Sequence, residues 1–446
     1  MLCLTGMERT VAALAARLEA FPNELHELRI DALDRIDDDL WTLVRRHRPR
    51  LVACCRPPHE DRLGLLARAH ELDARWIDVE DDINDLSAFD PDRLVLSFHD
   101  PAGTGGDLVA RARAMRPRAA VVKLAITVQD VAELAELREV RQAIEGDAVL
   151  IGMGAAGVLS RTHYRAFGSK WTYVAATSEL ATAPGQLDRA TADLLGLPAS
   201  SAEPFYALVG GPQVTSSPGL QVYNRFFRDH ALPHTYVALV TASLQRSLPL
   251  LADLGARGLS ITMPLKAAAD RLASAPTGLG AANTLRRDEH GWQATNTDVI
   301  GVREPLAAAG ATGRALILGA GGAASAAWRA CEELGLQPTV ATRSPARAVF
   351  ASRVVSWDVR DEDAWDVLIN ATPVSGDQTP WPPDGAMPPL VFDLAMGQRS
   401  RLLDQARDQG SVTLGPMDMW VHQGAAQLSF WLGHEVTPGE LRERLP

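Results

Sequence analysis

Residues 119–128 read AAVVKLAITV, an apolar run of strand length that one lysine, Lys123, interrupts. Similar runs recur through the first 200 residues, and most of them are separated by stretches with helical periodicity, such as 8–20, 60–72 and 129–144. The runs are 2–5, 25–30, 51–55, 75–79, 93–98, 119–124, 148–152 and 171–175. Eight strand–helix units in succession predict a closed (β/α)8 TIM barrel over residues 1–200.

A second α/β region follows residues 196–204, whose GLPASSAEP sequence is typical of a linker. Strands are predicted at 205–209, 235–239, 258–262, 314–319, 337–342, 366–370 and 390–394. A polar segment, 283–298, leads into a predicted helix at 299–309. The pattern predicts a two-lobed unit: a first lobe over 204–311, completed by C-terminal helices in 416–446, and a Rossmann nucleotide-binding lobe over 312–415.

The composition excludes several classes of protein. Asp and Glu number 55 against 44 Lys and Arg, and a net charge of −11 argues against a nucleic-acid binder. We find no apolar run of bilayer length and no signal-peptide pattern in the first 20 residues. The four cysteines lack metal-ligand spacing, so we expect buried, reduced thiols in a cytoplasmic protein. The acidic runs 37–39 and 80–82 are expected to be solvated loops or helix starts.

Lysine is scarce, since only Lys123, Lys170 and Lys266 occur among the 44 basic residues. An ammonium within an apolar strand loses hydration, which favours the neutral and nucleophilic amine. Lys123 is therefore a candidate for covalent chemistry. The alternative is an edge strand that turns Lys123 toward solvent.

Polar side chains lie at the ends of the other predicted barrel strands, where this fold carries its functional residues. These side chains are Glu27, Arg29 and Asp31 after the second run, Arg56 and Glu60 after the third, His99 after the fifth, Arg161 after the seventh, and Thr182 and Gln186 after the eighth. An amine, a histidine and several arginines suit imine chemistry on an anionic carbonyl compound. Glu60 could orient His99, and Arg161 could bind a carboxylate. Taken singly, each could also be a surface residue.

The motifs ELRID, CCRPPHE, LSFHD, VVKLA, GVLSRTHYRAFGS and TAPGQ occur in this order, and with them residues 1–200 resemble type I 3-dehydroquinate dehydratase. The resemblance implies Lys123 as the Schiff-base lysine, His99 as the general acid and base, and Glu60 as its support. It implies substrate contacts from Glu27, Arg29, Arg56, Met153, Arg161, Thr182 and Gln186. Thr182 stands where the family usually has serine, and it keeps the hydroxyl.

A second lysine–carboxylate combination lies in the other half of the chain. Lys266 ends LSITMPLK, and the motifs AANTL and ATNTD supply Asn283, Asn296 and Asp298. A lysine beside an aspartate can exchange a proton with a substrate hydroxyl or carbonyl. The alternative is a surface ion pair.

The segment 315–326, ALILGAGGAASA, contains Gly319-x-Gly321-x-x-Ala324 between a predicted strand and a helix. This context is typical of a dinucleotide-binding turn, in which the helix N-terminus faces a pyrophosphate. The next strand ends without the acidic residue that binds the ribose of NAD. Its end carries Thr342, Arg343 and Arg347 instead, which favours the 2′-phosphate of NADP.

The motifs LVGGPQVTSSP, TMPLK, GAANTL, TNTD, LGAGGAA, TRSPAR, INATP and VHQGAAQLSFW make residues 205–440 resemble shikimate dehydrogenase. The resemblance implies Lys266 and Asp298 as the catalytic pair. It implies substrate contacts from Thr262, Asn283 and Gln423, and from Ser216 or Ser217, because TSSP departs from the family's Ser-x-Ser-Pro. It implies cofactor contacts from Gly319, Ala320, Gly321, Gly322, Ala323, Thr342, Arg343, Arg347, Asn370, Ala371 and Thr372, with the Asp393 region near the nicotinamide. Met396 stands where the family has tyrosine.

Together the two resemblances predict a bifunctional, NADP(H)-dependent enzyme that dehydrates 3-dehydroquinate and reduces the product to shikimate. Small molecules are the predicted partners, with no nucleic acid, membrane or metal. One alternative is that the second half oxidises quinate or another ring acid, which Met396 and the altered serines favour. The other is that one half is a non-catalytic module. The oligomeric state is left open.

Overall fold

Each of the eight predicted apolar runs forms a strand in the computed structural model, which describes residues 1–103, 105–397 and 399–445. The last residue of the predicted segment 416–446, Pro446, lies outside the described residues. The strands of this part are β1 (Leu2–Thr5), β2 (Leu25–Arg29), β3 (Leu51–Cys54), β4 (Trp76–Glu80), β5 (Leu94–Asp100), β6 (Val121–Thr127), β7 (Asp147–Met153), β8 (Thr172–Ala175) and the short β9 (Leu187–Asp188).

The nine strands form one sheet in the order β7-β6-β5-β4-β3-β2-β1-β8-β9, with every neighbouring pair parallel. The residues before β8 return to β7, because the Lys170 amide donates to Ala148 O at 2.8 Å and Ser169 forms a bridge with Ala148. The sheet therefore closes on itself, and the predicted barrel is confirmed.

Helices connect the barrel strands, as the right-handed crossover of parallel strands requires. They are α1 (Val11–Ala20), α2 (Asp38–His47), α3 (Arg62–Glu71), α4 (Leu108–Met115), α5 (Ala135–Ala143), α6 (Val158–Thr162) and α7 (Arg189–Leu194). Side-chain oxygens that accept from the first-turn amides begin several of them, including Thr10 for α1 and Asp107 for α4.

Inward-facing residues of successive strands fill the barrel. The cluster contains Cys3, Leu25, Val52, Trp76, Val95, Val121, Ala125, Val149, Ile151, Met153, Trp171 and Tyr173, all buried. Burying a charge in such packing is unfavourable unless the charge is paired and hydrogen-bonded.

The contacts of the chain divide it into two compact units, Met1–Ala256 and Arg257–Pro446. The first unit also contains β10 (Phe205–Gly210), α8 (Gly219–Asp229), β11 (Thr235–Val240) and α9 (Leu244–Asp253), with β10 and β11 parallel. Within the predicted linker 196–204, Ala199–Ala202 form a 3-10 helix with two buried serines. Their hydroxyls donate to backbone carbonyls, Ser200 to Leu195 at 2.6 Å and Ser201 to Pro198 at 2.7 Å, which satisfies these buried groups.

The second unit begins with an antiparallel arrangement. β12 (Ala256–Ile261) pairs with β13 (Thr284–Asp288), and β13 pairs with β14 (Gly291–Thr295). The polar segment at 283–298, for which the sequence predicts no strand, thus contains a hairpin. Cross-strand pairing around buried Leu285 and Trp292 stabilises it, although the apolar content of the segment is too low to signal strands.

Six parallel strands form the second sheet of this unit, in the order β17-β16-β15-β18-β19-β20. They are β15 (Arg314–Leu318), β16 (Gln337–Thr342), β17 (Val354–Ser356), β18 (Val367–Asn370), β19 (Leu390–Asp393) and β20 (Val412–Leu414). Alternate residues of β15 face opposite sides: Ala315 and Ile317 pack in one cluster, and Leu316 and Leu318 in another. The sheet is thus covered on both faces, as the predicted Rossmann lobe requires.

The helices of this unit are α10 (Lys266–Leu272), α11 (Asp298–Ala308), α12 (Gly322–Glu333), α13 (Arg401–Asp408), α14 (Pro416–Leu432) and α15 (Pro438–Arg442). Helix α14 packs back against α11 at Gly301, where a Cβ atom would lie 2.9 Å from Met419 O. Trp431 at its other end donates its indole N–H to Leu285 O at 2.9 Å. The C-terminal segment therefore joins the earlier lobe of the unit.

No helix among the described residues is both long and apolar enough to cross a membrane. The four cysteines are buried and unpaired, as the sequence predicts.

Candidate functional sites

A cavity of about 520 Å³ opens at the C-terminal ends of the barrel strands. Its lining contains all but one of the barrel residues for which the sequence predicts a catalytic or substrate-binding role: Glu27, Arg29, Arg56, His99, Lys123, Met153, Arg161, Thr182 and Gln186. Glu60 is the exception, because its side chain is exposed and outside this lining.

Lys123 lies on β6 with its side chain inside the barrel and only 3% of its surface exposed, so the edge-strand alternative is wrong. Its Nζ donates to Asp78 Oδ2 at 2.8 Å and lies 3.7 Å from Glu27 Oε1. The ring of Tyr173 faces Nζ from 4.3 Å. The amine is thus held at the cavity by two carboxylates and an aromatic face.

Asp78 on β4 connects the charged groups of this cavity, and sequence reasoning missed it. The carboxylate accepts from Lys123, from Arg56 at 2.9 Å, and from the Ser97 hydroxyl. Burial opposes its ionisation, but the positive charges of Arg56 and Lys123 outweigh burial and hold the pKa of Asp78 well below its usual range. An aspartate within the apolar run 75–79 was the available signal.

The structure corrects the predicted partner of His99. Its Nδ1 lies 2.9 Å from Glu80 Oε1, and Glu80 also accepts from Arg56, so Glu80 takes the position proposed for Glu60. The prediction that 80–82 is a solvated run is wrong for Glu80, whose side chain is 13% exposed. Burial and the charge of Arg56 lower the pKa of His99, which favours a neutral imidazole at neutral pH.

Arg161 is the cation of the cavity that lacks an anion. It is 2% exposed, its guanidinium forms no ion pair with any described residue, and its Nε is buried without a hydrogen-bond partner. Burial lowers its pKa to about 10. A carboxylate in the cavity would supply the missing partner in a bidentate geometry. By contrast, Arg29 is already paired with Asp31 at 2.6 Å.

Thr182 and Gln186 close one side of the cavity. Gln186 Oε1 accepts from the Thr182 amide at 2.7 Å and from its hydroxyl at 3.1 Å. These bonds order the loop between β8 and β9 at the edge of the cavity.

A second candidate site lies in the other unit, around Lys266 at the start of α10. Its Nζ donates to Asp298 Oδ2 at 2.5 Å, and Asn283 donates to Asp298 Oδ1 at 2.8 Å. The Thr297 hydroxyl lies 3.0 Å from Asn283 Nδ2 and donates to Gln423 Oε1 at 3.4 Å. The structure thus brings four of the sequence-predicted polar positions into one network, in which Asp298 is 5% exposed.

Three further predicted substrate contacts show only local interactions. Thr262 directly follows β12 and is half-buried. Ser216 and Ser217 lie before α8 in the first unit, Met1–Ala256. There Ser216 donates to Gln213 O at 3.1 Å, and Ser217 accepts from the Gly219 amide at 3.2 Å. The choice between these two serines stays open.

The glycine-rich turn follows β15 as predicted. Gly319 has a φ of +114°, and a Cβ there would lie 2.9 Å from Ala371 O, so only glycine fits. Gly321 precedes the first turn of α12, and a Cβ on Gly322 would lie 3.9 Å from Lys266 Cδ. The turn with Ala320 and Ala323 therefore presents open backbone amides beside the Lys266 side chain.

Residues on the neighbouring strands complete the rim of this turn. Thr342 is buried at the end of β16, and Arg343 and Arg347 are exposed just beyond it. Asn370 donates to Asp393 Oδ1 at 2.8 Å and accepts from the amide and hydroxyl of Thr372. These bonds fix the loop at Ala371 against the glycine turn.

Among the described residues, one group of possible metal ligands was found, formed by Glu27, Cys54 and Asp78. Lys123 already donates to Asp78 and lies beside Glu27, so a cation occupies this position without a metal.

Comparison with known proteins agrees with this division of the sites. Residues 2–195 match the family described as type I 3-dehydroquinase, and residues 209–285 match the shikimate dehydrogenase substrate binding domain. An NADP(+) shikimate dehydrogenase from a Synechococcus species is 32% identical over 273 residues, which cover 54% of this chain and 92% of the relative.

A relative with both activities in its name aligns along nearly the whole chain. It is the chloroplastic bifunctional 3-dehydroquinate dehydratase/shikimate dehydrogenase of Arabidopsis thaliana, 27% identical over 473 residues that cover 92% of this chain and 78% of the relative. A chorismate mutase/shikimate 5-dehydrogenase fusion from Clostridium acetobutylicum matches in fold, with a TM-score of 0.51, 23% identity, and coverage of 54% of this chain and 96% of that one. The chain therefore belongs to the shikimate dehydrogenase family and carries a type I 3-dehydroquinase region ahead of that part.

Proposed function

We propose that this chain is a bifunctional enzyme that dehydrates 3-dehydroquinate to 3-dehydroshikimate and then reduces 3-dehydroshikimate to shikimate with NADPH. The order of the two family matches along the chain supports both steps. The observation that carries the first step is the amine of Lys123, buried at a cavity whose Arg161 lacks an anion. The substrate has the ketone and the carboxylate that these two groups would bind.

In the first step, Lys123 transfers a proton to a neighbouring base and attacks the ketone, which releases water and forms an imine. The imine withdraws electrons and acidifies the adjacent carbon. Asp78 and Glu27 stabilise the positive charge that the protonated imine carries, since both carboxylates already lie within 4 Å of Nζ. Arg161 pairs with the substrate carboxylate and fixes the ring above the amine.

His99 acts as the base of this reaction. Its pKa lies below the ordinary value, so the ring is neutral at neutral pH and accepts the proton from the carbon beside the imine. Glu80 Oε1 lies 2.9 Å from Nδ1, so Nε2 is the nitrogen that takes this proton. The imidazolium then gives the proton to the departing hydroxyl, which leaves as water. Hydrolysis of the imine frees the product and restores Lys123.

The second site fits a dinucleotide cofactor. The glycine turn packs against Ala371 at Gly319 and is open at Gly321, where a Cβ would meet nothing within 4 Å. Its backbone would approach a pyrophosphate there, and Arg343 and Arg347 would hold a 2′-phosphate. NADPH supplies the reducing equivalent when it is bound. Lys266 donates the proton that the carbonyl oxygen takes up on reduction. Asp298, held by Asn283, orients the ammonium.

A second candidate, oxidation of quinate or a related ring acid, concerns the same site. Met396 follows β19 in the position where the family has tyrosine, and its side chain is 55% exposed. A thioether cannot donate the hydrogen bond of a phenol, so the chain has one fewer donor for a ring substituent.

For location we propose the cytoplasm, because four buried free thiols suit a reducing compartment.

The whole chain should form shikimate from 3-dehydroquinate with consumption of NADPH. Borohydride added with 3-dehydroquinate should convert the imine to a stable amine and place an adduct mass on the peptide that contains Lys123. The Lys170 peptide of the same digest is the internal control, because that lysine is exposed and paired with Asp147. No adduct, or an adduct on another lysine, would exclude Lys123 as the nucleophile.

Glu80→Gln should lower dehydratase kcat by about tenfold. This is part of the roughly 10²–10⁴-fold rate acceleration that a general base supplies. The acid limb of the pH profile should move to lower pH. The base must be neutral, and loss of the Glu80 charge removes an interaction that raises the pKa of His99. Glu60→Gln, at the exposed position, is the matched control and should leave the profile unchanged. The reverse result would restore Glu60 as the partner of His99.

Lys266→Ala should reduce NADPH-dependent turnover by about 100-fold or more, because the proton donor is lost. The dissociation constant for NADPH, measured by fluorescence titration, should change little. Lys170→Ala is the control for removal of a lysine and should retain both activities. Turnover that survives in Lys266→Ala would show that another group donates the proton.

The kcat/KM with NADP⁺ should be higher for shikimate than for quinate, and NADP⁺ should be preferred to NAD⁺ because Arg343 and Arg347 replace an acidic ribose ligand. Met396→Tyr should raise the kcat/KM for shikimate by restoring a donor. A parent enzyme that prefers quinate would support the second candidate instead.

A further inference from the structure

Residues 205–253, which precede the second site in the chain, contact two segments that carry or adjoin residues of the barrel cavity. One is the turn that follows β6, the strand of Lys123. The other is the end of α6, the helix of Arg161. All of these segments belong to the first compact unit, Met1–Ala256.

The first contact is a buried carboxylate that bridges the two segments. Asp130, 7% exposed, accepts from the Thr241 hydroxyl, which lies 2.9 Å from each of its oxygens, and from the Ala242 amide at 2.8 Å. Asp130 also accepts from the Ala132 amide at 2.9 Å. Three of these contacts fix the turn after β6 to the residues between β11 and α9, and the fourth orders the turn itself.

This turn is connected to the cavity by backbone hydrogen bonds. The Val128 amide donates to Met153 O at 3.1 Å, and the Gly154 amide donates to Pro184 O at 3.0 Å. Met153 lines the cavity, and Pro184 lies between two further lining residues, Ala183 and Gln186. A shift of the turn at Asp130 would therefore move two parts of the cavity wall.

The second contact lies two residues beyond Arg161. His163, 1% exposed, packs its ring 4.5 Å from the ring of Phe205 on β10, and its Nε2 lies 3.3 Å from the Thr235 hydroxyl on β11. The His163 amide donates to Leu159 O and ends α6. The orientation of the helix that carries Arg161 is thus tied to strands outside the barrel.

We infer that residues 205–253 are a positioning element of the barrel site, and that Asp130 and His163 are positioning residues through which this element holds Arg161 and the loop at 182–186. The inference rests on the proposed dehydratase function and deepens it. Neither residue touches the cavity, so their effect is on the binding of substrate and not on the chemistry at Lys123.

A double-mutant cycle in the full chain tests this inference. Thr241→Val removes the hydroxyl at nearly constant volume, and Asp130→Asn weakens the acceptor. Each should raise the KM for 3-dehydroquinate about three- to tenfold, the range of one lost hydrogen bond, with kcat changed less than about twofold. The double variant should be no worse than the poorer single variant, because both changes act on the same Thr241–Asp130 hydrogen bond. Additive effects, or an unchanged KM, would overturn the inference.

Two further variants separate positioning from general damage to the fold. Thr241→Ser keeps the hydroxyl and should restore the KM, whereas a KM as high as in Thr241→Val would assign the effect to packing and contradict the inference. Asp107→Asn is the matched control, since Asp107 accepts from the Ala110 amide at the start of α4 and is not one of the contacts to residues 205–253. It should leave the KM unchanged.

Hydrogen exchange provides a readout that does not depend on dehydratase activity. Amides in 153–163 and 182–186 should exchange faster in Thr241→Val than in the parent or in Asp107→Asn. Equal exchange in all three proteins would overturn the inference even if the parent is active. A parent without dehydratase activity, but with this exchange pattern, would instead contradict the proposed function alone.

Discussion

The ion pair of Lys123 with Asp78 is the interaction on which the barrel site depends. Moving an ammonium from water into a packed barrel costs roughly several kcal/mol in lost hydration, unless nearby charges and hydrogen bonds compensate for it. Asp78 at 2.8 Å, Glu27 at 3.7 Å and the ring of Tyr173 supply that compensation. The two carboxylates then need donors of their own, which Arg56 and neighbouring hydroxyls provide. One buried charge thus accounts for polar residues on several adjacent strands.

The second unit also contains a lysine–aspartate pair, but its lysine is more exposed to solvent. The side chain of Lys266 is 19% exposed beside Asp298, against 4% for the side chain of Lys123. In the proposed reactions Lys123 attacks a carbonyl from within the packed barrel, whereas Lys266 gives a proton from a position with more access to water. The third lysine, Lys170, lies near neither site and is paired with Asp147. The same pairing can therefore serve two kinds of chemistry because its surroundings differ.

The limits of the first compact unit have a physical cause. Composition indicates a boundary near residue 200, yet the unit extends to Ala256. Asp130 and His163 contact residues beyond the barrel with their polar groups almost entirely buried. Separating the segments would expose apolar rings and leave buried acceptors without donors, and both changes are unfavourable. A local change in composition carries no information about such contacts.

The sequence by itself determined the barrel strands, the glycine turn and most of the residues that the structure brings together around Lys123 and Lys266. Parallel buried strands are apolar throughout, and a turn with positive φ needs glycine, so both signals are local. The hairpin at 284–295 escaped prediction because its strands form through pairing. Only the tertiary structure decided which carboxylate faces His99. That choice depends on the register that sets Glu80 on β4 opposite Ser97 on β5. Since side chains alternate along a strand, this register turns Glu80 and His99 into the same cavity, and spacing along the chain does not contain it.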